Sequence, residues 1–179
     1  MAKTVEAFVV RSGEGRSISG PAGGPTTITA DTGRTGGAFT LLENVIGPNQ
    51  GPPKHIHRRE DEMRYVPDGN FRFIADDRIF DAPEGAFVFV PRGTAHCFQN
   101  LEARPSRILA MFTPSGMERF FEEHALLPPG AVDPERYREI AERNWMEVVG
   151  PPLAESHPDW THRGGARTRC APEYLRSGR

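Results

Sequence analysis

Gly51-Pro-Pro-Lys-His55-Ile-His57-Arg-Arg-Glu-Asp-Glu62, running on into Tyr65-Val66-Pro-Asp-Gly69, is the first of two blocks that decide how this chain folds. The second is Gly85-Ala-Phe-Val-Phe-Val-Pro91-Arg-Gly93-Thr-Ala-His96-Cys-Phe-Gln-Asn100. His55 and His57 are two apart, so in a strand both imidazoles point to the same face. A short turn, Arg58 to Asp61, leads to Glu62 at the start of a second strand-like run, Glu62 to Val66. His96 follows a Pro-x-Gly turn that begins another strand. Three neutral imidazoles and one carboxylate suit a single divalent transition metal ion: Fe, Mn, Ni, Cu or Zn. Four protein ligands leave one or two positions open on a five- or six-coordinate ion, as a catalytic site requires. A His-x-His pair alone is often a surface accident, and a lone Glu is usually solvated. Here both blocks occur in order, with Gly and Pro where turns are needed, and the joint pattern points to metal binding.

The two blocks resemble the paired motifs of the cupin superfamily, Gly-x5-His-x-His-x4-Glu-x6-Gly and Gly-x5-Pro-x-Gly-x2-His-x3-Asn, with Gly51 offset from the usual leading place. The resemblance implies an all-β cupin double-stranded β-helix, a jelly-roll barrel, with His55, His57, Glu62 and His96 as metal ligands. Ser115-Gly-Met-Glu-Arg-Phe-Phe-Glu, Asp133-Pro-Glu-Arg and Met146-Glu-Val-Val-Gly-Pro-Pro152 are similar to the C-terminal part of single-domain bacterial cupins of the quercetin 2,3-dioxygenase-like kind. Their two C-terminal helices cap or flank the barrel. The similarity covers roughly residues 38–153.

The 179 residues fit one domain. Nineteen glycines and 17 prolines, with short apolar runs between them, favour an all-β core with many turns. A net charge of −2 suggests neither nucleic acid nor an anionic membrane as partner. No apolar run approaches the ~20 residues of a membrane span, and Met-Ala-Lys-Thr-Val-Glu carries no apolar signal segment, so the expected location is cytoplasmic. Two cysteines, Cys97 and Cys170, make no disulfide framework. Strand alternation turns Cys97 away from His96, toward packing.

In order, residues 1–37 form N-terminal strands and loops, with a first strand at Ala7–Val10, a loop from Arg11 to Gly24 and a strand at Thr26–Ala30. Residues 38–114 form the barrel core, with strands at Ala38–Ile46, Asn70–Ile74, Arg78–Asp81, a buried strand at Ala86–Val90, then His96–Leu101 and Arg107–Thr113. Residues 115–153 form a helical segment. Met117, Phe120, Phe121 and His124 share one helix face, where His124 packs rather than ligates. Asp133 and Pro134 start a second helix, which runs to about Asn144 or Trp145. Residues 154–179 form an arginine-bearing tail, either loose or anchored on a partner subunit through Trp160 and Tyr174, and His157 and His162 there are not ligands.

Parity also outlines a pocket. Glu62, Arg64 and Val66 share a face, so Arg64 points inward with Glu62, where many such cupins carry an apolar residue. A guanidinium inside a barrel must be paired. It pairs with an internal carboxylate such as Glu43, or it clamps an anionic substrate group. Phe98 and Asn100 share the face of His96. With Phe71 and Phe73, and either Phe87 with Phe89 or Val88 with Val90, they line an apolar cavity for a small organic substrate, aromatic or polyketide-like. Glu62, by resemblance, also handles a substrate hydroxyl as general base. The leading expectation is a dioxygenase-type reaction of a hydroxylated or enolic substrate with O2. The others are a non-oxidative isomerase, cyclase, dehydratase or decarboxylase tailoring a natural product, and a binding cupin without turnover. A homodimer is expected by analogy with the family.

Overall fold

The computed structural model describes residues 5–11, 13–128 and 132–158. Trp160, Tyr174, His162 and Cys170 lie outside these. The described strands are β1 (Arg16–Ser19), β2 (Pro25–Ala30), β3 (Thr40–Ile46), β4 (Pro53–His57), β5 (Asp61–Asp68), β6 (Asn70–Ala75), β7 (Arg78–Pro83), β8 (Phe87–Val90), β9 (His96–Asn100), β10 (Ser106–Thr113) and β11 (Met146–Pro152). The helices are α1 (Thr32–Thr35), α2 (Glu118–Ala125), α3 (Pro134–Arg143) and α4 (Leu153–Ser156). Two antiparallel sheets result, a six-stranded one in the order β1-β2-β3-β10-β5-β8 and a five-stranded one in the order β11-β4-β9-β6-β7. The fold is an all-β jelly roll with C-terminal helices, as expected. Among the described residues no helix is long and apolar enough to cross a membrane.

Period-two alternation sets the core. Ile46, Val66, Val88, Val90 and Ile108 from one sheet meet Phe71, Phe73, Ala82 and Phe98 from the other. A second cluster forms where α2 and α3 close over one part of the sandwich, packing Met117, Phe120, Phe121, Ile140 and Ala141 against Leu42, Ala110, Phe112 and Met146. The helix start at Asp133 is as read from the sequence: its carboxylate accepts from Glu135 N at 2.9 Å, with Pro134 in the first turn.

Two motif glycines answer to space. A Cβ on Gly51 would lie 1.8 Å from the carbonyl oxygen of Phe98. Gly69 has φ 103°, and a Cβ there would stand 2.4 Å from the Ser106 hydroxyl.

The sequence expectations fail in three places. Ala7–Val10 is not a strand, and Val5, Phe8 and Val9 are exposed. The first strand is instead β1, inside the stretch expected to be a loop. It is an edge strand held by its ladder to β2 rather than by burial, so periodicity does not reveal it. The Ala86–Val90 run is not buried throughout: Val88 and Val90 point in, while Phe87 and Phe89 are 63% and 55% exposed on the outer face of an edge strand. Finally, Met146–Pro152 is a strand paired with β4, hidden from pattern reading by Gly150 and two prolines, which an edge strand tolerates.

Glu118, nearly buried, links three of these elements. Its carboxylate accepts from Thr32 N and Gly116 N, each at 3.0 Å, and from the hydroxyls of Thr32 and Thr40. Burial pushes its pKa up, but the hydrogen bonds from Thr32 and Thr40 outweigh that and hold it below the ordinary value. Glu118→Gln should therefore cost about 2 kcal/mol in urea unfolding at neutral pH, since an amide cannot accept from all these donors. A depressed folded pKa gives stability that is full above the unfolded carboxyl pKa, about 4.3, and is lost as pH falls through the folded value. The gap between wild type and variant should accordingly narrow below about pH 4.3.

Candidate metal centre

The site spans the two sheets. β4 supplies His55 and His57, β9 supplies His96, and β5 in the opposing sheet supplies Glu62. His55 and His96 are direct partners across the β4–β9 ladder. The outer edge of β4 is held by β11, where Met146 pairs with His57 and Val148 with His55. The Pro91–Gly93 turn is tied on both sides. Gly93 N donates to His57 O at 2.9 Å, and Arg92 reaches Asp61, next to Glu62, through its backbone N–H and its guanidinium. Those Arg92 bonds pull the Asp61 carboxyl down to about 2. Ala95 N donates to the Asp76 carboxylate at 3.1 Å, fixing the residue before His96 to the β6–β7 hairpin. Each ligand position is thus braced by its neighbours in sequence.

One donor atom from each of His55, His57, Glu62 and His96 lies within 4.8 Å of the others, and all four residues are buried. The orientation of the rings is informative. His55 Nδ1–H donates to Pro53 O at 2.8 Å and His96 Nδ1–H to Thr94 O at 3.0 Å. A carbonyl can only accept, so each of these rings carries its proton on Nδ1 and, when neutral, turns an Nε2 lone pair inward. His96 Nε2 then faces Glu62 Oε2 at 2.8 Å, and His57 Nε2 stands 3.0 Å from the same oxygen without the alignment of a hydrogen bond. Converging acceptors repel unless a proton or a cation lies among them. His57 Nδ1 also has no hydrogen-bond partner among the described residues. These separations suit neighbouring corners of a coordination shell with metal–ligand bonds of about 2.1 Å. The donor set therefore fits a metal ion.

Electrostatics agree with a neutral-imidazole, ionised-carboxylate set. Burial, then His96 and His57, hold the His55 pKa well below its ordinary value. Burial also lowers that of His57, with Glu62 opposing. For Glu62, burial alone would raise the pKa, but the Arg64 charge, then His96 and the close His57 ring, hold it well down.

Arg64 does point inward with Glu62, but Glu43, one of the two alternatives open for it, is not its partner. Glu43 lies on the outer face and pairs with Arg107 at 3.4 Å. Arg64 Nε instead donates to Glu62 Oε1, and its guanidinium carbon sits 4.5 Å from the centroid of Phe98. Both line a cavity that His55 and His57 share with Phe112, Met117, Phe120, Phe121, Tyr137 and Met146. Its volume is about 40 Å³, room for a few water molecules.

The remaining pocket residues fall elsewhere. Phe71 and Phe73 are fully buried behind Phe98, with ring centroids 5.9 and 5.4 Å from it, and buttress that ring rather than line the cavity. Asn100 spends its side chain on the backbone, donating to the carbonyls of Ile46, Gly47 and Arg104 and accepting from Glu102 N. Parity gives the face of a strand but not the depth along it. His124 packs beside Phe120 and Tyr137, outside the ligand group. Tyr137 is the wall residue that sequence reading missed. Its place three residues before Ile140 on the buried face of α3 was the available signal.

Residues 43–112 match the family model described as Cupin domain. No curated protein matches the chain. Among solved structures, KdgF from Halomonas sp. is 19% identical over 63% of this chain and 98% of its own, with a TM-score of 0.56. An RmlC-like cupin from Shewanella frigidimarina is 17% identical over 66% and 98%, with a TM-score of 0.54. The polyketide cyclase RemF from Streptomyces resistomycificus is 25% identical over 60% and 79%, with a TM-score of 0.51. Residues 43–112 thus match a cupin domain, and the chain shares the fold of these cupin structures, a likeness that does not extend to quercetin 2,3-dioxygenase specificity.

His96→Ala should leave the purified protein with less than about a tenth of the wild-type metal content by elemental analysis, since it removes a ligand outright. Cys97 is buried and its thiol is pushed up to about 11 by that burial. It should stay unlabelled by maleimide in the folded protein and react once urea unfolds it, as read by peptide mass mapping.

Proposed function

We propose that this protein is a metal-dependent enzyme acting on a small hydroxylated organic substrate that reacts as its enol or enolate, with O2 as co-substrate in a dioxygenase-type reaction. One observation carries the reading: a guanidinium, Arg64, stands beside the ligand carboxylate in the wall of an otherwise largely apolar cavity. Among the described residues Glu62 is its only hydrogen-bond partner, through Nε. The terminal N–H groups remain for an anionic oxygen, which they would hold in the paired fashion guanidinium favours. Phe98, under the guanidinium, keeps it in place and offers an apolar surface to a planar ligand.

His55, His57, Glu62 and His96 would hold the metal. When bound, a divalent ion there supplies Lewis-acid polarisation of a substrate oxygen and, if redox-active, a path for electrons to O2. Glu62 has a reduced basicity, because Arg64 and two imidazoles stabilise its charge. Its part is to accept a hydrogen bond from the substrate hydroxyl and orient it as the proton is lost. The apolar wall keeps bulk water away from the enolate, and the unbranched side chains of Met117 and Met146 can swing to admit a ligand larger than the resting cavity.

A second reading, a non-oxidative cyclase or isomerase, draws support from the likeness to a polyketide cyclase at 25% identity. It uses the same enolate and the same Arg64, and differs in consuming no O2. The two are separated by incubating the metal-loaded protein with flavonols and enolic polyketides in an oxygen electrode, with mass analysis of products. O2 uptake and products bearing both oxygen atoms support the first; conversion without O2 uptake, at unchanged mass or with loss of water, supports the second. In either case Arg64→Leu should keep its metal content and lose at least about tenfold in kcat/KM. A variant that unfolds or loses its metal would assign Arg64 to structure instead.

A further inference from the structure

Tyr137 reaches, from α3, the cavity that His55 and His57 also line. Its ring is locked edge-on against Phe120 at 5.5 Å and lies 5.9 Å from His124. Among the described residues its hydroxyl has no hydrogen-bond partner. Tyr137 is half-buried; that burial raises its pKa, and the one charge that reaches it is that of Arg64. The phenol therefore keeps its proton and is a donor at any physiological pH. A phenol against a largely apolar lining favours an acceptor, because an O–H left unpaired as water is displaced is costly. The same lining carries a second donor, Arg64, while the oxygens of Thr26 and Asn44 there are hydrogen-bonded to each other at 2.8 Å and the His57 ring belongs to the ligand group. Two donors that share a cavity and lack enough protein acceptors are a recognition site for ligand oxygens.

We propose that Tyr137 is a substrate-contacting residue that forms, with Arg64, a two-point donor pair selecting ligands with an anionic oxygen and a second oxygen next to it. Deprotonated enediols, α-hydroxyketones and catechols have that form. The inference rests on the reading of the cavity as a substrate site. It adds that a ligand with a single oxygen loses the Tyr137 contact, and that specificity for dioxygenated substrates is written on α3 rather than on the barrel strands.

The test uses 4-nitrocatechol, with two adjacent oxygens, and 4-nitrophenol, with one, titrated by absorbance into the full-length protein and its Tyr137→Phe and Arg64→Leu variants. Metal content and melting temperature are measured on each preparation. Tyr137→Phe keeps the ring contacts and should keep the melting temperature. It is expected to weaken 4-nitrocatechol about tenfold while leaving 4-nitrophenol within about twofold, whereas Arg64→Leu weakens both. Equal weakening of the two probes, no weakening of either, or no binding of 4-nitrocatechol by the wild type would overturn the proposal. The two readings fail separately. Wild-type protein that takes up no metal but shows the selective loss refutes the metal-dependent enzyme and keeps the donor pair. Metal-loaded protein with Arg64-dependent binding and no Tyr137 effect does the reverse.

Discussion

The Glu62 carboxylate is the point on which the interior depends. It stands in the six-stranded sheet, while His57 and His96, which approach it to 3.0 and 2.8 Å, stand in the other. A buried carboxylate is tolerable only if its charge is met on every side. Here two imidazoles meet one oxygen and Arg64 the other. The inward-facing polar set is therefore a mutual arrangement, in which no member is tolerable at its depth without the rest. The strands bearing them must close to within hydrogen-bonding distance across the sandwich, and that requirement sets the separation of the sheets in this part of the molecule.

The packing around the site shows how that closeness is maintained. β4 carries two of the histidines but shares little ladder with β9, and its other edge is covered by β11. Phe71 and Phe73 press Phe98 toward the guanidinium, so a purely apolar layer controls where the cation sits. Asn100, by gathering the carbonyls of Ile46, Gly47 and Arg104, stabilises the turn-rich end of the barrel rather than any ligand. Precision at the centre comes from residues that never touch it.

Much of this was legible in the chain. The grouping of His55, His57, Glu62 and His96 was carried by the two motif blocks and their likeness to cupin motifs, and the inward turn of Arg64 and the outward turn of Cys97 follow from strand alternation. The stripe on α2 and the cap at Asp133 were equally plain. What escaped has a common physical cause. β1 and β11 exist because a neighbouring strand offers its edge, a fact of tertiary pairing that no local pattern contains. Phe71 and Phe73 share the inward face with Phe98, yet only the curvature and depth of the sheet decide which ring meets the cavity. The Glu43 alternative for Arg64 falls away for a similar reason. Glu43 alternates with buried residues on β3 and so faces outward, and the nearest anion was the ligand itself.

The cavity has two kinds of wall. The metal-facing side is made of strands whose side chains are fixed by ladders and by one another, while the opposite side is made of Met117, Phe120, Phe121 and Tyr137 from a helical segment that follows the barrel in the chain. Such a division lets selection act on the two independently. Substitutions in the helical segment can reshape what is admitted without moving a coordinating atom, and the barrel can keep its chemistry while its clientele changes. A lineage built this way would diversify by revising its C-terminal third, leaving the histidine strands as the inherited part.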